Sequence, residues 1–446
     1  MTKNLTVGNP ALLIVGFTIP LLIGNLFQQF YNMADTLIVG RTIGIHALAA
    51  VGSTGSINFL ILGFMMGFTQ GLSIITSQCF GAGNMTGVRK SFASGIILGI
   101  IVTMTLMAIS IASAMPLLRL LNTPPDIIDA AYSYIIIIYW GFPAAILFNL
   151  LSNMMRAVGD SRTPLFFLVI ASVINIVLDF AFILRLHTGV EGAAYATVIA
   201  QLISALLCIP VIIRKFPMLR VKKEDWKDAL ADIGEHAGVA LPMGFQMSII
   251  AIGAVTVTFA LNNLKNTIAV AAYTASQKID MIATMPFNSF GAAMTTYAAQ
   301  NYGARKIDRI KKGILYCFAI SGTFSVVMGA ACFFAGHRFS AVFLGPDQVE
   351  AIALSHTYLK VNGVFYVFLA WLFIARQSLQ GLGNSMIPTF AGVMELLMRT
   401  FAAIILSVFF GFTGICFANA LAWIGACLPL TIATVLTIRR LNRKRS

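Results

Sequence analysis

Gln78-Cys79-Phe80-Gly81-Ala82, with Arg89-Lys90 close behind, returns as Gln300-Asn301-Tyr302-Gly303-Ala304, with Lys311-Lys312 close behind. Pro20 returns at the same offset of 222 residues as Pro242, and Gly159-Asp160-x-x-x-Pro164 returns 224 residues on as Gly383-Asn384-x-x-x-Pro388. Each match falls at the corresponding point of its half, which marks an internal duplication. Six apolar stretches surround these motifs in the first copy, at 11–39, 48–79, 91–121, 128–155, 164–185 and 190–213. Six more follow at 238–263, 268–300, 311–336, 351–380, 388–410 and 413–437. Each has the roughly 20 residues a membrane span needs, and lipid offers backbone groups no partner, so each must be helical. The expected fold is an all-α polytopic membrane protein with twelve transmembrane helices in two six-helix lobes, 1–213 and 237–438. A cytoplasmic linker, 214–236, joins them, and a basic cytoplasmic tail, 439–446, closes the chain. Six is even, so the copies share one orientation, which predicts an axis along the membrane normal and a substrate cavity between lobes.

Composition agrees: 58% of the 446 residues are apolar and 10% charged, too few charges for a soluble surface of this size. The net charge of +14 is topological. With twelve spans, 22 Lys and Arg fall on the side of the termini, Arg156 and Arg376 among them. Five fall opposite, at Arg41, Arg119, Arg185, Lys265 and Arg338. That bias places both termini in the cytoplasm, in a cell membrane, and removes the case for nucleic-acid binding. No cleavable leader precedes the first span, so a removed signal peptide is not expected. The acidic, Trp-containing part of the linker, 224–235, predicts a short helix on the membrane surface. Six cysteines sit singly within spans and five histidines show no ligand spacing. No metal centre is expected beyond a transported Na+.

Four acids lie well inside spans: Asp35, Asp179, Asp280 and Glu395. An intramembrane acid is costly and is read first as functional. Asn175 and Asp179 are four apart and share a helix face. Counting the helical rise from the outer ends of spans one, five and six puts Asp35 roughly 6 Å, Asp179 roughly 9 Å and Thr197 roughly 10 Å deep. Two carboxylates, an amide oxygen and a hydroxyl thus arrive at one depth, the donor set for a small cation at Asp35 and Asp179. Without a base nearby, the two acids repel unless one is protonated or a cation lies between them. By the repeat offset these positions become Val257, Arg399, Ala403 and Asn419, so the carboxyl half does not reproduce the site. It carries instead Glu395 and Arg399, which read as an ion pair at helical spacing, and Lys278 with Asp280, too close in sequence to face each other. Gln28, Gln246, Tyr273, Lys278 and Asp280 are candidate cavity residues, as polar groups within spans. Pro20 bends the first span and is a candidate hinge. Gly81, Gly83, Gly159, Gly303 and Gly383 read as tight turns and close packing.

The first span, with Pro20, Asn25, Gln28, Tyr31, Asn32, Asp35 and Gly40, together with both Gln-x-x-Gly-Ala loops and Arg156-Ala-Val-Gly-Asp160, resembles the multidrug and toxic compound extrusion family over essentially the whole chain. The loop Gly81–Lys90 lacks the G-x-x-x-D-R pattern of the major facilitator type. The resemblance implies a V-shaped transporter that is not an enzyme. It implies export of amphipathic, often cationic compounds in exchange for H+ or Na+. It also implies that Asp35, Asn175, Asp179 and Thr197 are the cation-coupling residues of the amino lobe. Some family members carry cation-binding acids in spans seven and ten; 237–264 and 351–380 contain none. The fold is shared with flippases for lipid-linked precursors, the alternative function, which would call for a strongly basic cavity. A membrane-embedded enzyme would need clustered acids or histidines of a kind the chain lacks. A monomer in the lipid bilayer is expected, taking small amphipathic substrates, with H+ or Na+ as coupling ion and no cofactor.

Overall fold

The repeated loop motifs turn out to be helix boundaries. In the computed structural model, which describes residues 3–443, Gly159 stands at φ +87° and Gly383 at φ +84°, a conformation that glycine adopts freely. Asp160 then accepts from the backbone amides of Arg162 (2.9 Å) and Thr163 (3.0 Å) and caps the next helix. Its counterpart Asn384 accepts from the Ile387 amide at 3.4 Å. Gly-Asp/Asn-x-x-x-Pro is therefore a turn-and-cap device used once in each half.

Between these signals the chain is helical, with no strand among the described residues. The first half holds α1 (Pro10–Thr42), α2 (Ile45–Gly81), α3 (Met85–Leu120), α4 (Ile128–Trp140), α5 (Phe142–Ala157), α6 (Arg162–Asp179) and α7 (Val190–Lys215). A short α8 (Asp225–Ala229) precedes α9 (Ile233–Asn263), α10 (Thr267–Gly303), α11 (Ile307–Leu344), α12 (Val349–Gly381), α13 (Met386–Phe401), α14 (Ser407–Phe410) and α15 (Phe412–Arg443). Among the described residues ten helices are long and apolar enough to cross a membrane, counting α6 and α13 with the segments that extend them. The bent pair α4–α5 makes eleven, broken by 46°. The break falls at Gly141-Phe142-Pro143, where Pro143 supplies no amide to the ladder. The twelfth expected span is α10, 37 residues long but less apolar because it carries Gln277, Lys278, Asp280 and Gln300. The basic tail begins within α15; residues 444–446 lie outside the described residues.

After Asp179 the helix widens into a π-helical segment, Phe180–Arg185, and α13 does the same over Ala402–Leu406. The two wide turns occupy equivalent places in the repeat although their sequences differ. Wide turns of this kind are frequent at functional sites.

Contacts divide the chain into two compact units whose edges are not those of the repeat. One contains Ile19–Gly244; the other contains Leu5–Thr18 and the chain from Phe245 onward. Both edges fall within two residues of the paired prolines, Pro20 in α1 and Pro242 in α9. In the amino unit the linker is structural: Phe216 and Leu219 are buried in the core with Phe92, Leu151 and Met154. Its acidic stretch docks on protein. Asp225 pairs with Arg89 (3.0 Å), Asp228 with Lys90 (2.6 Å), and the Ala229 carbonyl accepts from Ser94 Oγ (2.9 Å). Burial works to raise the Asp225 carboxyl, but the Lys222 amide and the Arg89 guanidinium outweigh it and hold it below the usual range. In the carboxyl unit the second copy of the corner receives the segment before α1. Gln300 Oε1 accepts from the Leu5 amide (3.0 Å), Asn301 Nδ2 donates to the Leu5 carbonyl (3.2 Å) and Arg309 Nη1 to the Gly8 carbonyl (2.8 Å).

Candidate cation and substrate site

Tyr31 and Asp35 lie four apart on α1, and Asn175 and Asp179 four apart on α6, so each pair projects from one helix face. Thr197 of α7 joins them: its Oγ1 is 3.2 Å from Tyr31 Oη and accepts from Asn175 Nδ2 at 3.4 Å. The two carboxyl groups are electrostatic neighbours, and Tyr134 of α4 is near enough to feel the charge of both. All four residues of the sequence-read set, Asp35, Asn175, Asp179 and Thr197, therefore belong to one cluster within the amino unit. Asn175 and Asp179 are 1% and 0% exposed, and Asp35 is half-buried. Asp35 Oδ1, Asn175 Oδ1 and both Asp179 oxygens have no hydrogen-bond donor. Neither acid enters an ion pair among the described residues. Buried acceptors without donors lose their hydration with nothing in return. Oxygen donors converging in this way suit protons or a small hard cation. No group of three or more His, Cys, Asp or Glu side chains among the described residues has metal-holding geometry. α1 runs on to Thr42, so Asp35 lies about 10 Å from its end, deeper than the sequence count placed it.

A cavity adjoins this cluster. Pro20, Gln28, Tyr31, Ser152, Arg156, Ser161, Asn175 and Thr197 are among the residues that line it. Gln28 is the one candidate cavity residue on its wall.

The other candidates lie in the carboxyl unit, away from that cavity. Gln246 is 1% exposed and accepts from Gln380 Nε2 at 2.7 Å. Tyr273 accepts from Gln277 Nε2 (2.6 Å) and meets Tyr358 edge to face, centroids 5.4 Å apart. Asp280 is buried and accepts from Tyr366 Oη at 2.7 Å, while Lys278 on the same helix is exposed. Glu395 and Arg399 do pair, at 2.7 Å, and a second guanidinium completes a triad: Arg376 Nη2 donates to Glu395 Oε2 at 2.6 Å. Arg376 had been counted with the loop charges. It is 5% exposed near the end of α12, where Glu395 of α13 receives its guanidinium. Arg156, counted in the same way, is half-buried near the end of α5.

Long apolar helices around buried acids and a polar cavity are the arrangement of a membrane protein, and the family match makes it a transporter, not an enzyme. The MatE family pattern matches residues 20–181 and again 242–405, once in each copy of the repeat, and the chain belongs to that family. It is 27% identical to the probable multidrug resistance protein YoeA of Bacillus subtilis (strain 168), over 85% of this chain and 83% of that protein. It is 24% identical to a protein of Shewanella oneidensis described as an FAD transporter, over 75% of each. A solved structure described as the outward-facing conformation of a multidrug resistance MATE family transporter superposes with a TM-score of 0.90. That likeness covers 99% of both chains at 22% identity and bears on the fold.

Proposed function

We propose that the chain is a secondary antiporter that exports amphipathic, often cationic compounds in exchange for H+ or Na+. The observation that carries this reading is the set of unpartnered oxygens on Asp35, Asn175 and Asp179. A site with two acids, no base and no donor cannot stay ionised and empty at low free energy in a membrane interior. It is stabilised by taking up a proton or a cation. Occupied and empty forms then favour different arrangements of the carrier, which is how ion movement drives export by alternating access. Asp35 and Asp179 hold the charge, Asn175 and Thr197 supply neutral oxygens, and Tyr31 ties Thr197 to the helix that bears Asp35. The multidrug resistance relative supports the substrate class, and the charge bias supports cytoplasmic termini in a cell membrane. One chain supplies every residue of the proposed site, so we take the monomer as the working unit.

The test is transport in proteoliposomes with a proton gradient or a sodium gradient imposed one at a time. One of the two should drive dye export, and Asp35→Asn should abolish uphill export at unchanged expression. Uphill export by Asp35→Asn, or export that needs neither gradient, overturns the reading.

A further inference from the structure

The cavity of the amino unit contains a charge that ion coupling does not use. Arg156 is the one charged residue on its wall. It takes part in none of the ion pairs among the described residues. Its Nη1 donates to Asn153 Oδ1 at 3.2 Å, and its Nε is buried with no acceptor. One helical turn back on α5, Ser152 is 3% exposed, lines the same cavity, and its Oγ has no partner either. A buried guanidinium Nε without an acceptor is costly, and so is the unpartnered Ser152 hydroxyl beside it. A carboxylate answers both deficits, because the planar fork of Arg donates two parallel bonds to it and the serine hydroxyl adds a third.

The space is adequate. The cavity has a volume of ≈ 120 Å³, room for the carboxylate end of a compound. Along α1 the lining runs from Pro20 to Tyr31, about 16 Å of helix. Asp35 and Asp179 do not line the cavity but neighbour Tyr31 and Asn175, which do, so it has Arg156 on its wall and two acids close behind it.

We propose that Arg156, with Ser152, is an anion subsite that receives the carboxylate of the exported compound and selects for amphiphiles bearing a carboxylate beside a cationic nitrogen. The proposal rests on the export reading for its transport consequence, but the subsite itself is a matter of binding.

A matched pair of dyes separates the two. Rhodamine B carries a delocalised cation and a free carboxylate; its ethyl ester keeps the cation and loses the carboxylate. Equilibrium binding to the purified full-length protein should favour rhodamine B, and Arg156→Gln should lower the ratio of the two affinities about tenfold or more. Arg156→Lys should fall between, since lysine keeps the charge and loses the fork. The same loss of ratio should appear in KM for export. No preference in the wild-type protein, or equal weakening of both dyes in Arg156→Gln, overturns the subsite. Stronger displacement of rhodamine B by sodium chloride than by sodium acetate at equal ionic strength would assign Arg156 to an inorganic anion and also overturn it. If Arg156→Gln does not fold, the wild-type ratio, the chloride arm and Arg156→Lys decide. Failure of export for both dyes with the binding preference intact would sink the antiporter reading and leave the subsite standing.

Discussion

Buried acids in the two units are treated in opposite ways. In the amino unit Asp35 and Asp179 face each other across α1 and α6 with no base and with unpartnered oxygens. In the carboxyl unit Glu395 is gripped by Arg376 at 2.6 Å and Arg399 at 2.7 Å, and Asp280 accepts from Tyr366 at 2.7 Å. On the proposed reading the Asp35–Asp179 pair changes its charge, whereas Glu395 is clamped by two guanidiniums and Asp280 is tied to the Tyr366 hydroxyl. The duplicated frame would then contain one site that switches and one that braces.

That contrast can be broken or sharpened by substitution. Asp35→Asn or Asp179→Asn should remove coupled export entirely while the purified protein melts within a few degrees of wild type, since no partner is orphaned. A collapse in thermal stability would make these acids structural. Glu395→Gln should do the reverse. It leaves two buried guanidiniums facing each other and should cost about 3–5 kcal/mol, read as poor yield and early unfolding in detergent. Wild-type stability in that variant would end the bracing role. Tyr366→Phe removes the donor to Asp280 and should cost about 1–3 kcal/mol of stability, with coupling stoichiometry unchanged. Smallest is the pair of caps. Asp160→Ala should cost about 1 kcal/mol and Asn384→Ala less, because its bond is 3.4 Å against 2.9 and 3.0 Å. Equal losses at the two caps would show that bond length is a poor guide here.

Much of this was legible in the chain itself, for identifiable reasons. Apolar run length marked the helices because lipid imposes it, and i,i+4 spacing paired Asn175 with Asp179 and Glu395 with Arg399 because one helix face needs no tertiary information. The dipeptide spacing that kept Lys278 from Asp280 was sound for the same reason. What escaped depends on other elements. Arg156 and Arg376 count by chain position with the charges on the side of the termini, but they stand in the last turns of α5 and α12, where the packing of other helices sets how far each is buried. Tyr366 is 86 positions from Asp280, and Tyr134 sits far in sequence from both acids it approaches, so no periodicity could have named them. Nor does composition reveal that α4 and α5 are one broken rod, since the break is set by Pro143 within an unbroken apolar run.

The edges of the two units, at Thr18–Ile19 and Gly244–Phe245, carry a consequence for the order of synthesis. Leu5–Thr18 is made before the amino unit yet packs with residues made from Phe245 onward, so it must wait until the whole of that unit has been synthesised. The amino unit, for its part, is not finished at the end of α7 but only when the first turns of α9 arrive. A fragment ending at 213 is therefore an amino unit lacking part of its own packing, with a stretch of helix that belongs to the other. Cutting the chain in the linker should yield two pieces that fold poorly apart and recover when made together, because each holds a segment the other requires.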